Sequence, residues 1–142
     1  MRAFEYPVWL TPAEEGGFVV TCRDLPEVIT QGEDLHDALM QAADAMEEAF
    51  AARIDDELEF PLPSEIQEDE HLVAPSAEMV AKAALYVALR EAEVSKTELA
   101  RRLGVDEKVV RRLLDPHYRS KLPRLAEAVQ ALGRRLRIEL AA

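Results

Sequence analysis

The chain has 142 residues, of which 49% are hydrophobic, enough apolar side chains for one ordinary domain or two small ones. No run approaches the roughly 18 apolar residues that a membrane span needs, and the first residues lack the pattern of a secretory signal. Cys22 is the only cysteine, so a disulfide framework within one chain is excluded. Together these features predict a cytoplasmic protein that does not enter a membrane.

Charge is distributed unevenly along the chain, whose formal net charge is −11. Residues 1–75 hold three basic and 19 acidic side chains, whereas residues 76–142 hold 14 basic and nine acidic ones. Such asymmetry predicts two domains, 1–75 and 76–142, with different partners. The basic half can approach phosphates, and the acidic half repels them and attracts a basic protein.

The first half of the chain predicts three short β-strands. Apolar and polar residues alternate over residues 3–10, and residues 18–23 and 28–31 read as a second and a short third strand. Gly16-Gly17 marks a turn between the first two, which therefore form a hairpin. Pro7 cannot donate a backbone hydrogen bond, so it favours an edge position for the first strand.

A helix and a fourth strand follow. Residues 34–53 place apolar side chains at spacings of three and four, which predicts a helix that covers one side of the sheet. Its opposite face is acidic and includes Asp37, Asp44 and Glu48. Residues 55–70 are half acidic and hold two prolines, so we expect a loop that packs Phe60 and Leu62 and leaves the rest solvated. With a strand at 71–74, the domain reads as a β-β-β-α-β unit of the α+β class.

The second half predicts an all-α domain with a short C-terminal strand. Capping residues and apolar spacing place four helices at residues 76–93, 96–103, 107–114 and 123–132. Ser95 and Glu98 form a capping box in which Glu98 reaches back to the start of its helix, and Asp106 caps the next helix. Strict alternation over 135–140 predicts a strand whose apolar face holds Leu136, Ile138 and Leu140. A helical domain offers this strand no partner, so we expect the strand to pair with the same strand of a second copy. The chain would then form a homodimer or higher homo-oligomer. The alternative is that the strand packs on its own helices.

The segment from Lys96 to Asp115 has the pattern of a helix-turn-helix. Ala100 is small where two helices would cross, and Gly104 suits the turn four residues later. Apolar residues fill the angle between the helices, at Leu99, Leu103, Val105, Val110 and Leu113. The second helix would then enter the major groove, where Arg and Lys read guanine and Glu accepts from cytosine.

The predicted DNA-binding residues lie in and around these two helices. They are Lys96, Thr97, Glu107, Lys108, Arg111, Arg112, Arg119 and Lys121. We expect the second-helix residues to reach base edges or nearby phosphates, and the others to contact the phosphate backbone. The alternative is that these side chains are the solvated surface of a small helical bundle.

No catalytic or metal site is predicted, and no cofactor. Cys22 in strand alternation is typical of a small buried residue rather than a nucleophile with His36 as its base. The histidines are scattered without ligand spacing, and residues 55–59 lack the spacing and glycine of a calcium loop.

The order of these motifs resembles HicB antitoxins, in the subgroup that has a helix-turn-helix. The resemblance covers nearly the whole chain. It is carried by Arg2–Leu10, Gly16-Gly17-Phe18, Asp24-Leu25-Pro26-Glu27, Thr30-Gln31-Gly32-Glu33, Pro61-Leu62-Pro63-Ser64, Lys96–Val105 and Ala131-Leu132-Gly133. The coupling of the helix-turn-helix to this N-terminal pattern is the specific feature.

The resemblance implies both fold and function. The N-terminal domain should have a partial RNase H-like fold without catalytic acids and should bind the HicA toxin, a small basic RNA-cleaving protein. The complex should repress its own promoter. The acidic charge of residues 1–75 agrees with a basic partner, for which Asp37, Asp44 and Glu48 are the candidate contacts.

Two other functions are open at the level of sequence. A ligand-sensing helix-turn-helix regulator would need an apolar pocket with a few inward polar groups, which nothing in residues 1–75 marks. An RNase H-like nuclease would need inward carboxylates on adjacent strands to hold Mg²⁺, whereas the strand residues here are mostly apolar.

Overall fold

The first part of the chain forms a four-stranded antiparallel sheet with one helix against it. In the computed structural model, which describes residues 2–141, the strands are β1 (Tyr6–Pro12), β2 (Phe18–Thr21), β3 (Ile29–Gly32) and β4 (Glu70–Val73). Their order in the sheet is β3-β2-β1-β4. Helix α1 (Leu35–Asp55) connects β3 to β4. The predicted α+β class and the β-β-β-α-β order are confirmed.

Alternating side chains bury one face of this sheet under α1. Tyr6 and Val8 of β1 have no exposed surface, and the Tyr6 ring meets Phe50 of α1 edge-on at 5.9 Å. Gly32 lets β3 approach the helix closely, because a Cβ there would lie 2.3 Å from the backbone nitrogen of Ala38. The sheet therefore has one covered face and one face turned away from α1.

Two details of the N-terminal prediction are wrong. Pro7 is not on an edge strand, since β1 pairs on both sides. It is tolerated there because β2 pairs with β1 only from Trp9 onward, so β4 is the one strand beside Pro7. Leu62 is 71% exposed rather than packed, because Phe60 alone fills the end of the core beside Phe4.

The rest of the chain is helical. It forms α2 (Ala77–Ala92), α3 (Lys96–Leu103), α4 (Glu107–Leu114) and α5 (Leu122–Ala131). Helix α2 packs against α4 and α5, and α3 packs against the same two helices. Leu85, Leu99, Val110 and Leu125 form the fully buried centre. The chain divides into two compact units, Met1–Ser76 and Ala77–Ala142, called here the N-terminal and C-terminal units.

The predicted strand over residues 135–140 is not formed in the single chain. Residues 134–141 have no regular secondary structure, with Leu136 half-buried and Ile138 79% exposed. Leu140 is fully exposed. A strand needs a hydrogen-bonded neighbour, and within residues 77–141 the C-terminal unit has no strand to supply one. Pairing with a second copy stays a prediction.

Candidate binding surfaces

Side-chain caps fix where α3 and α4 begin. The Ser95 hydroxyl accepts a hydrogen bond from the backbone nitrogen of Glu98 at 3.0 Å, and the Asp106 carboxylate accepts from that of Lys108 at 2.9 Å. Each cap satisfies a backbone N–H that the first helical turn would leave without a partner. Both helices therefore begin at the residues that the sequence marks.

The turn between α3 and α4 depends on one glycine. Gly104 adopts a left-handed conformation with φ of 68°, which disfavours residues with a side chain by about 1 kcal/mol. The backbone nitrogen of Val105 then donates to the carbonyl oxygen of Ala100 at 3.0 Å. Ala100 is buried, as are Leu99, Val110 and Leu113, so apolar side chains fill the angle between the two helices.

The residues predicted to bind DNA all lie in the C-terminal unit. Glu107 is half-buried, and the others are exposed: Lys96, Thr97, Lys108, Arg111, Arg112, Arg119 and Lys121. Glu107 joins two of them, because its carboxylate accepts from the Thr97 hydroxyl at 3.0 Å and from Arg111 at 3.0 Å. The Arg111 bond, and then the Thr97 bond, hold the pKa of Glu107 below its usual value. Glu107 thus links the start of α3 to the face of α4.

Two further cations, one on α4 and one after it, have neighbours in the same unit. The Arg112 guanidinium lies over the Tyr118 ring at 5.4 Å, and the Arg119 Nε lies 4.0 Å from a Glu78 oxygen. The Arg119 side chain is 97% exposed, so this ion pair restrains it only weakly. Both cations can therefore turn toward an external anion.

A buried lysine that sequence reasoning missed holds the end of α4. Lys82 of α2 is 1% exposed, and its ammonium donates to the carbonyl oxygens of Arg112 and Leu113 at 3.1 and 3.0 Å. A third bond of 2.9 Å reaches the Ser120 hydroxyl. Burial lowers the pKa of Lys82. The signal in the sequence is a lone charge within the apolar run of α2, but its partners lie some 30 residues away.

Glu98 pairs with arginines instead of completing a reciprocal cap. Its carboxylate accepts from Arg101 at 2.6 and 2.8 Å and from Arg102 at 3.0 Å. These bonds lower the pKa of Glu98 to about 2. The predicted reach of Glu98 back to the start of α3 is replaced by these ion pairs, because two guanidinium groups lie three and four residues ahead.

The acids predicted to contact a toxin lie on α1. Asp44 and Glu48 are exposed. Asp37 is half-buried and accepts from the backbone nitrogen of Glu33 at 2.8 Å and from the side chain of Gln41 at 3.4 Å. The Glu33 bond, and then the Gln41 bond, hold the pKa of Asp37 below its usual value. Asp37 thus also fixes the start of α1.

The three arginines of the N-terminal unit are occupied within it. Each donates to a backbone carbonyl oxygen between residues 59 and 65: Arg2 to Phe60, Arg23 to Glu65 and Arg53 to Glu59. Arg23 also pairs with Glu70 at 2.7 Å, and Arg53 pairs with Glu27 at 2.6 Å. These bonds hold the acidic loop of residues 55–70 against the rest of the unit, while most of its carboxylates face solvent.

The sheet face away from α1 carries exposed apolar side chains that sequence reasoning also missed. The strand register aligns Ile29, Thr21, Trp9 and Glu70 in one row across all four strands. Trp9 is 45% exposed and Ile29 is 68% exposed, and they line a shallow concavity of about 370 Å³. Alternation places Trp9 on the opposite face from Tyr6 and Val8, but a single sequence does not show whether another element covers that face.

Cys22 lies in the core of the N-terminal unit. Its side chain is 3% exposed, and burial raises the pKa of its thiol. A neutral buried thiol agrees with a packing role. Over the described part of the chain, no helix combines the length and the apolar character needed to span a bilayer.

Comparisons with known proteins give a consistent result. A model of the HicB-like antitoxins of bacterial toxin–antitoxin systems matches residues 5–84. The antitoxin HicB of Escherichia coli (strain K12) is 37% identical over 131 residues, which cover 92% of this chain and 95% of that protein. The antitoxin HicB of Pseudomonas fluorescens (strain Pf0-1) is 40% identical, with 98% and 95% covered. Antitoxin HicB 1 of Photorhabdus laumondii is 31% identical, with 99% and 89% covered.

Proposed function

The chain belongs to the HicB-like antitoxin family, and from this membership we propose that its N-terminal unit neutralises a HicA-like, mRNA-cleaving toxin while its C-terminal unit represses its own operon. The chain would act in the cytoplasm as a binding protein, without catalysis, cofactor or metal. Its N-terminal unit would be a partial RNase H-like fold whose sheet serves as a scaffold for protein binding.

Toxin binding is proposed for the N-terminal unit because of its charge. An RNA-cleaving protein needs a basic surface to hold phosphates. Residues 1–75 are complementary to such a surface, because they hold 19 acidic and only three basic side chains. Since Arg23 is paired with Glu70 and Arg53 with Glu27, little uncompensated positive charge remains to repel such a partner. Asp37, Asp44 and Glu48 are the proposed α1 residues that attract it.

Operator binding is proposed for α3 and α4 as a helix-turn-helix. Helix α4 would lie in the major groove, with Lys108, Arg111 and Arg112 near base edges or phosphates. Lys96 and Thr97 at the start of α3 would contact the backbone, as would Arg119 and Lys121 after α4. Glu107 would position Thr97 and Arg111 through its two hydrogen bonds.

Dimerisation would bring two such helix pairs onto one operator. The tail from residue 134 to residue 141 exposes Ile138 and Leu140, and its alternation suits pairing with the same segment of a second copy. Two-fold related copies would read two half-sites of a palindromic operator.

The observation that carries the proposal is the division of charge between the two units. It is tested by adding the full chain in increasing amounts to a purified HicA-type toxin and following RNA cleavage. We expect cleavage to stop near equimolar antitoxin. In the variant Asp37→Lys/Asp44→Lys/Glu48→Lys the association rate should fall about tenfold or more at low salt and depend less on ionic strength.

A matched control keeps the charge change but moves it to the other unit. The variant Glu91→Lys/Glu127→Lys/Glu139→Lys reverses three acids of the C-terminal unit and should leave toxin association close to that of the wild type. Equal slowing by both variants would show that only the total charge matters and would remove the α1 face from the proposal.

A further inference from the structure

We propose that the outer face of the N-terminal sheet is the surface on which the basic toxin is seated, with Trp9 and Ile29 as its apolar anchors. The inference rests on the proposed function and adds the location of the contact. The toxin interface would then be centred on this sheet face and not on α1, although the sequence predicts no site on the sheet face.

The first step is the alignment of side chains across the sheet. Trp9 of β1 is the direct neighbour of Thr21 on one side and of Glu70 on the other, and Thr21 is the neighbour of Ile29. Directly opposed residues on one face have Cβ atoms about 5 Å apart, so the row is continuous. Leu72, 45% exposed, lies diagonal to Trp9 and extends the apolar area.

The second step is the solvation of this row. The covered face of the same sheet buries Tyr6, Val8 and Val20 completely, which shows where the unit needs apolar packing for its own fold. Trp9 and Ile29 are not part of that covered face, and they line an open concavity in which both are partly exposed to solvent. Exposed apolar residues that line one concavity, here on either side of Thr21, mark interaction sites, and tryptophan is among the residues that most often dominate binding energy.

The third step is the rigidity of the rim. Arg23 donates two bonds to the Glu70 carboxylate, at 2.7 and 3.2 Å, and a third to the carbonyl oxygen of Glu65 at 2.7 Å. The Asp24 carboxylate accepts from the backbone nitrogen of Ser64 at 2.8 Å. The loop beside the concavity is thereby fixed before a partner arrives, which lowers the entropy lost on binding.

The fourth step identifies the occupant by charge. Residues 65–70 beside the row include four acids, and the unit as a whole has 19 acids against three arginines that are already engaged. Nucleic acid would be repelled by this field, and a second copy of the same acidic unit would be repelled as well. A protein surface with an apolar side chain surrounded by Lys and Arg is complementary to it.

The position of the α1 acids then gives them a different role. Helix α1 lies on the covered face of the sheet, so a small partner seated on the outer face does not touch Asp44 and Glu48. Those carboxylates accelerate encounter through their field, whereas Trp9 and Ile29 determine how slowly the complex separates.

The experiment measures association and dissociation rates of the full chain with the purified HicA-type protein. Trp9→Ala and Ile29→Ala should each raise the dissociation rate about tenfold or more and change the association rate less than about twofold. Met40→Ala is the control, because Met40 is 54% exposed on α1. It should dissociate like the wild type. If Trp9→Ala lowers the melting temperature, the dissociation rate of Ile29→Ser is measured in its place.

The outcomes separate this inference from the proposed function. If the wild type does not bind the toxin, the proposed function fails, and the inference with it. If the wild type binds and the sheet variants dissociate at its rate, only the inference is overturned. Sedimentation could also show that the sheet variants lose self-association while their toxin binding is unchanged. That result would assign this face to a second copy and would overturn the inference too.

Discussion

Lys82 shows how a single buried charge can hold the end of a helix and the loop that follows it. Its ammonium satisfies two of the last carbonyl oxygens of α4 and the hydroxyl of Ser120, just before Lys121. Lysine is almost never fully buried unless it is paired in this way. It therefore anchors both the end of α4 and the loop that carries Arg119 and Lys121 to α2.

Replacing this lysine by a neutral side chain of similar length should destabilise the C-terminal unit. In Lys82→Met the carbonyl oxygen of Leu113 loses the lysine donor, and that of Arg112 keeps only the backbone nitrogen of Asp115. This loss costs about 1–3 kcal/mol of unfolding free energy. Urea denaturation followed by helical circular dichroism measures it. The control Lys108→Met changes an exposed lysine and should stay within about 0.5 kcal/mol. Equal stability of the two variants would refute the anchoring role.

Glu98 makes the stability of the C-terminal unit sensitive to acid. Its folded pKa of about 2 lies below the usual value of 4.5, so the unfolded chain binds a proton more tightly between those values. Its stabilising contribution is complete above pH 4.5 and is lost as pH falls toward 2. Glu98→Gln removes this contribution, so its deficit relative to the wild type should shrink between pH 6 and pH 2.5. A deficit that does not change with pH, in denaturation midpoints, would contradict the assignment.

The sequence allowed local chemistry to be predicted, but not long-range partners. Ser95, Gly104 and Asp106 act within a few residues of themselves, so their roles could be predicted from spacing alone. Lys82 and Arg23 act on residues 30 to 47 positions away. A charged residue in an apolar run is compatible with a solvated position as well as with a buried one, and only the fold distinguishes them.

At the level of elements, periodicity identified every helix and the four strands of the sheet, with ends displaced by up to three residues. The exceptions have a common cause. The edge position expected from Pro7 and the strand expected at 135–140 both concern which strand lies beside which. Pairing depends on the neighbour, and a pattern of alternation describes only the strand itself.

The C-terminal tail is the element that we propose to pair with a second chain. Deleting residues 135–142 removes Leu136, Ile138 and Leu140, and we expect the dimer to dissociate into monomers at micromolar concentration. Sedimentation equilibrium of the full and the truncated chain measures this. A matched variant, Arg135→Ala/Arg137→Ala, alters the polar positions of the same segment and should remain dimeric. An unchanged dimer after truncation would show that another surface joins the copies.

Across the whole chain, charge differs between the two units. The N-terminal unit combines an acidic field with an apolar sheet face, and the C-terminal unit presents exposed Lys and Arg side chains around α4. From this difference in composition the sequence predicts different partners for the two halves, which stays a prediction. The sheet face could not be predicted in the same way, because its exposure is defined by where α1 packs.

The central claim is that the two units bind different partners through separate surfaces. It is tested most directly in the variant Lys108→Ala/Arg112→Ala of the full chain, by measuring affinity for its own promoter DNA and for the HicA-type protein under the same conditions. We expect promoter affinity to fall about tenfold or more, with a reduced salt dependence, while toxin affinity stays within about twofold. Unchanged promoter binding, or a parallel loss of toxin binding, would contradict the account.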